Sequence, residues 1–506
     1  MTISAQTPTP SAPAIAVSLN GAAFWGVIAG LAALSLSLRQ SGLTPDVSWL
    51  LDMCQRMLNG EKAYVDIVDT APPVAVFLYM PGAVITQATG LGGGFAVYAT
   101  AYAAILMALY VSDRILPDAI ADAGPSRLLV ITPAAFILFF LCNDAFAQRE
   151  HLAAAFALPA ACVFIRHAES GSWPPLSQRM IAAILAGLAA AIKPPLFMAP
   201  GVALALYYLW RERNVVFLWR SGLIIAGAVF VTLTACSLMA YPAYLESMGK
   251  VMRDIYVPTR SIVLIGLTSK EFIAVAASFF IALAAGGRQR PTPATSIFCV
   301  MSAAYVSVYF LQGKFFPYQL YPASLFSGLA LVTAAARLLR EDSGAAGALR
   351  KPLSIAFALM ILALAWLTYA AYDDRRPRMT DLGWAEALDR PTALAISNYI
   401  SVPFPLAQEI GAVWKDRSHS QWIVLYAGAG LEKEGLSAEQ KALFQSYYDG
   451  EIDRLAARIG ERQPDIIIRS LVDKNLYAEL LNRNPHLLDA YEPIAEEGVI
   501  QILKRR

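Results

Sequence analysis

Long apolar runs recur along the chain at about 21–38, 72–90, 95–112, 128–142, 152–165, 180–193, 195–210, 221–240, 272–286, 295–311, 318–336 and 353–372, and none has a charged residue in its middle. Crossing a bilayer takes roughly 20 apolar residues, fewer when the span is short or tilted, and helices satisfy their backbone polar groups there without help. Such a chain folds as a polytopic α-helical membrane protein of about 11–12 spans. Composition agrees, with 57% hydrophobic and only 15% charged residues over 506 positions. The 40 basic and 38 acidic residues nearly cancel, which gives no reason to expect a nucleic-acid partner. Five cysteines (Cys54, Cys142, Cys162, Cys236, Cys299) show no C-x-x-C spacing, four of them in or at the ends of apolar runs, and read as buried thiols.

The runs divide the chain. Residues 1–20 are rich in Thr, Pro and Ala without a basic n-region and read as a disordered tail. Residues 21–372 form the transmembrane part, and 373–506 carry ordinary soluble charge density, which predicts a small extramembrane α/β domain. There QWIVLYAG, PDIIIRSL and GVIQILKRR read as strands, while SAEQKALFQSYYDGEIDRLAARIG and NLYAELLNRN read as helices. The GAG of YAGAG, lacking a dinucleotide fingerprint, reads as a strand-end turn.

Short loops rich in Lys and Arg stay in the cytoplasm. Those holding Arg114/Arg127, Arg166/Arg179, Arg211/Arg213/Arg220, Arg288/Arg290 and Arg337/Arg340/Arg350/Lys351 are therefore inside, and the segments between them, with the C-terminal domain, are outside. Parity then requires run 72–90 to dip in and return at its Pro81-Gly82 break. The alternative has it cross, placing the loop 39–71 in the cytoplasm, and Arg39 favours that version.

Four outward segments hold nearly all the polar residues close to the membrane. The first, Thr44 to Pro73, carries Asp46, Asp52, Glu61, Asp66 and Asp69, and its apolar residues from Val47 to Leu58 fall at helical spacing, which predicts an interfacial helix with its apolar face down. Asp46 follows Pro45 and suits either an N-cap or a base beside a lipid phosphate. The second, NDAFAQREH, sets Asp144, Gln148 and His151 on one helical face, with Arg149 able to pair with Glu150 or a phosphate; it also reads as a solvated loop. In the third, AIKPP, Lys193 ends a span, where it snorkels or enters a site. The fourth, QGKFFPYQLYPA, places Gln312 and Lys314 among Phe315, Phe316, Tyr318 and Tyr321, an aromatic belt or a headgroup cradle. Arg253 and Arg260 are reserve cations.

A span, an external loop opening with Asp46, an interfacial helix and then G-x-x-x-Y-x-D-x-x-x-x-x-P-P (Gly60, Tyr64, Asp66, Pro72, Pro73) resemble the GT-C glycosyltransferases of the protein O-mannosyltransferase and lipid A aminoarabinose transferase type. QREH, the lysine before prolines and Q-G-K-x-x-P-Y are similar to bacterial members. The resemblance implies transfer of a sugar from a polyprenyl-phosphate carrier to a glycan, lipid or protein acceptor, at the periplasmic face of the bacterial inner membrane and among membrane lipids. It implies catalytic roles for Asp46 and for Asp144 or Glu150. With the charge pattern it points to Lys314, Arg149, Lys193 and His151 at the donor phosphate, and to Asp66, Asp69, Tyr64, Gln312 and Tyr318 in support. The family's common Asp-Glu pair is Asp46-Val47 here and its charged residue before Pro-Pro is Ala71, so a divalent metal stays an open alternative rather than an implied cofactor. A transporter or flippase and a polymerase of lipid-linked glycans are the competing classes, the first disfavoured because the runs lack ionisable groups at their centres.

Overall fold

The computed structural model describes residues 21–39, 42–120, 123–285, 290–340 and 377–506. The tail 1–20, the run 353–372 and the bases Arg288, Arg350 and Lys351 lie outside the described residues. Among the described residues six helices are long and apolar enough to cross a bilayer: α1 (Gly21–Leu38), α5 (Gly93–Ile115), α7 (Arg149–Ser170), α11 (Leu223–Ala240), α14 (Pro293–Gln312) and the segment 317–338 that contains most of α15 (Tyr321–Arg340). Shorter helices α6 (Thr132–Phe140), α8 (Leu176–Ile192), α9 (Ala199–Glu212) and α13 (Lys270–Ala284) pack among them. The expected spans are thus a mixture of full-length and short helices around one apolar core. Close helix approach is built in: a Cβ at Gly187 of α8 would lie 2.6 Å from the Ala226 carbonyl of α11, a backbone atom that cannot give way.

Between α1 and α5 lies α2 (Pro45–Leu58), followed by α3 (Pro73–Phe77) and α4 (Met80–Thr89). Cys54 of α2 bonds the Val76 carbonyl at 3.3 Å, α4 packs on α2, and a Cβ at Gly93, which opens α5, would meet Leu51 at 2.7 Å. Val76, near the start of run 72–90, and Gly93, just past its end, therefore both lie against α2. The break in the run falls at Leu78-Tyr79, with Pro81 in the first turn of α4 where its missing N–H costs nothing.

Helix α2 is more deeply enclosed than an interfacial helix with one apolar face down. Every residue from Val47 to Cys54 is buried. The underside meets the bundle, and the upper side is covered by the C-terminal domain: Trp49 sets its ring against Phe404, Ser48 bonds Gln408 Oε1 at 2.9 Å and Arg56 donates to the Asp416 carbonyl at 2.8 Å. Trp49 is 1% exposed, and truncating such a ring costs about 3–5 kcal/mol.

That domain is built on five strands, β1 (Thr392–Ile396), β2 (Val413–Trp414), β3 (Ile466–Ser470), β4 (Tyr491–Glu497) and β5 (Ile500–Arg505), in one sheet of order β2-β1-β3-β5-β4. Strand β1 pairs in parallel with β2 and β3, and β5 runs antiparallel to both β3 and β4. PDIIIRSL and GVIQILKRR are strands as expected, but QWIVLYAG is not. Residues Trp422–Leu431 form a helix, so YAGAG is helical rather than a strand-end turn. Apolar residues lie all around this segment, a pattern that does not distinguish a buried helix from a buried strand. Gly430 lets it close on the helix Ala438–Arg462, since a Cβ there would meet Phe444 at 2.5 Å.

The arrangement predicts the sidedness of three exposed positions. In a Cys236→Ser background, Asn59→Cys and Glu434→Cys should react alike with a membrane-impermeant thiol reagent in intact cells, and Ser170→Cys, a helix length of about 33 Å away along α7, should show the opposite behaviour. Different labelling of Asn59→Cys and Glu434→Cys would contradict the docking of the domain over α2.

Candidate active site

The carboxylates of the Thr44–Pro73 stretch divide into two groups. Asp52 and Glu61 lie 3.8 and 2.6 Å from Arg56, and Asp66 accepts the Lys62 N–H at 2.8 Å to close an exposed turn, so these three serve local structure. Asp46 and Asp69 point elsewhere. Thr44, not Asp46, is the N-cap residue of α2, and Asp46 sits in the first turn after Pro45 without capping it. Its Oδ1 is 3.9 Å from Arg149 Nη2, beyond hydrogen-bond length, and burial pushes its carboxyl above the ordinary aspartate range while Arg149 opposes the rise. Asp69 is raised by burial as well, and its oxygens accept Trp49 Nε1–H at 2.8 Å and the Ala71 N–H at 2.5 Å. Tyr64, in the left-handed region at φ 65°, donates its hydroxyl to the Ala71 carbonyl at 2.7 Å and braces the Asp69 turn.

Residues of NDAFAQREH separate on folding. Asn143–Ala145 is a 3-10 turn, Gln148 is the N-cap residue of α7, and the helix begins at Arg149, so Asp144, Gln148 and His151 do not form one helical face. Gln148 Nε2 donates to the Asp144 carbonyl at 2.7 Å. Asp144 itself is partly exposed. His151 corrects the expectation of a phosphate ligand: it is wholly buried, Nδ1 accepts the Ala147 N–H at 3.1 Å, and Nε2 lies 2.9 Å from the Leu138 carbonyl, so both nitrogens are taken. Glu150, also wholly buried, binds Lys193 Nζ at 2.7 Å. Lys193 keeps two further N–H bonds for other partners. Among the described residues the Arg149 guanidinium has no hydrogen-bond acceptor, although it is held beside Asp46.

Lys314 is a second correction. Its ammonium lies 4.1 Å from the Tyr256 ring centre and 4.0 Å from that of Tyr426, and it donates to the Thr259 carbonyl and hydroxyl at 3.0 and 3.2 Å. Burial brings it down to about 7. The lysine stands between aromatic rings as its segment suggested, yet the rings belong to the 252–256 turn and the C-terminal domain, and it fastens the two together. Tyr318 stacks on Phe316 and is near enough to Asp46, Glu150 and Arg149 to feel all three charges. Gln312 closes α14 with both side-chain heteroatoms buried and no bonded partner among the described residues.

One residue that the sequence did not mark is His419 of the C-terminal domain. Its ring meets Trp49 edge-on at 5.5 Å, and Nε2 is 4.0 Å from Asp69 Oδ2. No motif signals it, because a lone histidine in a polar loop has no pattern and the contact joins positions far apart in the chain. Among the described residues no group of three or more His, Cys, Asp or Glu side chains forms a metal cluster. The nearest acids already face Arg149 (Asp46), two N–H donors (Asp69) and Lys193 (Glu150), a donor set that does not fit a divalent ion. Beside the site an apolar cavity of about 670 Å³ runs between α3, α4, α5, α7 and α11, lined by Val74, Phe77, Val97, Phe156, Leu233 and Tyr241 among others. Tyr79 and Ala147 also line it, the Tyr79 hydroxyl donating to the Ala147 carbonyl at 2.9 Å two residues before Arg149.

The Lys193–Glu150 pair makes a stability prediction. Removing one partner of a buried ion pair leaves an uncompensated charge and costs about 3–5 kcal/mol. Lys193→Met should lower the thermal midpoint in detergent, and Lys193→Met combined with Glu150→Gln should recover much of the loss; equal losses would show that the pair is not coupled.

No model of a known protein family matches the sequence, and no curated relative matches it. Among solved structures, ArnT from Cupriavidus metallidurans bound to undecaprenyl phosphate matches with a TM-score of 0.54 and 13% identity, over 95% of this chain and 97% of that one. Apo ArnT from the same organism matches at 0.52 and 14%, over 96% and 98%. Over nearly its whole length the chain has the fold of ArnT.

Proposed function

We propose that the protein is an integral membrane glycosyltransferase that moves a sugar from a polyprenyl-phosphate carrier to an acceptor at the periplasmic face of a bacterial inner membrane. The observation that carries this reading is the Arg149 guanidinium, held beside an unbonded carboxylate with its own donors unused, next to an apolar cavity. The fold match to a protein bound to undecaprenyl phosphate supports the carrier, and the density of bases on the opposite loops supports the side.

In this reading the isoprenoid chain lies in the 670 Å³ cavity and its phosphate meets Arg149, with Lys193 and Tyr318 beside it. An acceptor hydroxyl attacks the anomeric carbon, Asp46 takes its proton, and the bond from that carbon to the phosphate oxygen breaks with the electron pair going to the phosphate, so the anomeric centre inverts. Arg149 compensates the charge that the leaving phosphate gains, and a guanidinium suits this because its fork matches phosphate oxygens. Asp46 is the better base of the two aspartates, since it accepts no hydrogen bond whereas both oxygens of Asp69 do. Asp69 and Tyr64 shape the wall, and no step passes through a metal.

Asp46→Asn tests the proposal. Removing a positioned base lowers turnover by about 10²–10⁴. Stability should hold, because the carboxylate caps nothing and is only partly offset by Arg149. The base acts ionised and its carboxyl is raised, so kcat/KM for transfer should fall as pH drops through a value above the ordinary aspartate pKa of about 4, and the variant should lack that acid limb. Turnover of Asp46→Asn within a few-fold of wild type would end the role.

A further inference from the structure

Resting on the transferase reading above, we infer that the C-terminal domain supplies the acceptor side of the site: His419 Nε2–H and Asp69 Oδ2 together bind a hydroxyl neighbouring the one that reacts, which makes the acceptor a polyhydroxylated molecule of the sugar class. The two atoms are 4.0 Å apart, too far to bond each other. An oxygen at about 2.8 Å from both subtends an angle of about 90° between them, which suits a hydroxyl that accepts from one and donates to the other.

The imidazole has the orientation this needs. Ser420 Oγ lies 2.8 Å from His419 Nδ1 and can also donate to the Asn398 carbonyl at 3.3 Å; the Asp69 carboxylate 4.0 Å from Nε2 favours the tautomer with the ring proton on Nε2, in which the Ser420 hydroxyl turns to Nδ1. Burial brings His419 down to about 4, which keeps it uncharged at neutral pH. Its side chain is 14% exposed, so the pair can be reached. Asp69 is fixed by Trp49 and Ala71 on the membrane side of the gap.

The loop Asp416–Gln421 that carries His419 is anchored far more firmly than a covering loop requires. Asp416 accepts from the Arg417 N–H at 2.7 Å, Gln421 Nε2 at 3.0 Å and Arg458 Nη1 at 2.5 Å. Trp414 Nε1 donates to the Ser418 carbonyl at 3.0 Å, and the Gln421 N–H donates to the Ser397 carbonyl at 2.7 Å. Two bonds cross to the membrane part from the residues just before the histidine: Arg56 to the Asp416 carbonyl at 2.8 Å, and the Val68 N–H to the Arg417 carbonyl at 2.6 Å. Val68 is the residue before Asp69, so the loop and the carboxylate share one scaffold and the 4.0 Å gap is set by both.

Nucleophile competition tests this without knowledge of the natural acceptor. Purified full-length protein is given a polyprenyl-phospho-sugar with glycerol and methanol as competing acceptors, and both the released polyprenyl phosphate and the two glycosides are measured. Wild type should favour glycerol, whose adjacent hydroxyl meets the pair, by at least ten-fold over methanol. His419→Phe, which keeps a ring against Trp49 but has no N–H, should lose that preference, while its donor consumption with methanol as the sole acceptor stays within a few-fold of wild type. His419→Gln, which restores an N–H, should recover part of it. A wild type that consumes donor without preferring glycerol, or a His419→Phe variant that keeps the preference, overturns the inference and leaves the transferase reading intact; a wild type that consumes no polyprenyl-phospho-sugar overturns the transferase reading instead.

Discussion

A guanidinium and a carboxylate 3.9 Å apart at the rim of an apolar bundle set the terms for everything around them. At that separation two opposite charges attract by about 4 kcal/mol at an effective dielectric constant near 20, enough to hold each near the other without a hydrogen bond. Asp46 and Arg149 therefore stay close while the donors of one and the lone pairs of the other remain unspent. A tighter bidentate pair would be more stable and would have nothing left to offer a ligand.

Keeping such a pair out of bulk water requires a roof, and the C-terminal domain provides it. Trp49 packs beneath Phe404 and His419, Arg56 reaches the Asp416 carbonyl, and Lys314 stands between Tyr256 of the membrane part and Tyr426 of the domain. Buried cation–π contacts of this kind contribute about 2 kcal/mol when desolvated. The α3–α4 segment does the equivalent below, lining an apolar cavity that Ala147, two residues before Arg149, also lines. Charge above and hydrocarbon below is the division that a lipid phosphate itself carries.

Much of this was legible in the sequence because membranes punish exceptions. Apolar runs announced the bundle, and polar segments far apart in the chain turned out to be neighbours: Asp46 beside Arg149, Glu150 on Lys193. Local pattern failed where partners came from distant positions. The charged neighbours of His151 suggest a phosphate ligand, but the turn at 143–145 directs it toward the Ala147 and Leu138 backbone. The aromatic segment around Lys314 suggests a headgroup contact, whereas its ammonium meets rings from two other elements. The segment 422–431 read as a strand because burial on all sides erases periodicity, and His419 carried no signal because its contacts exist only after the domain docks.

The most direct measurement is the affinity of the purified protein for undecaprenyl phosphate, with undecaprenol as the uncharged control, in wild type and Arg149→Met. A charge-assisted contact contributes about 1.5–3 kcal/mol, so the variant should bind the phosphate roughly ten- to a hundredfold more weakly and the alcohol unchanged. Equal affinity of the two proteins for undecaprenyl phosphate, with the variant folded, would contradict the placement of the carrier phosphate on Arg149.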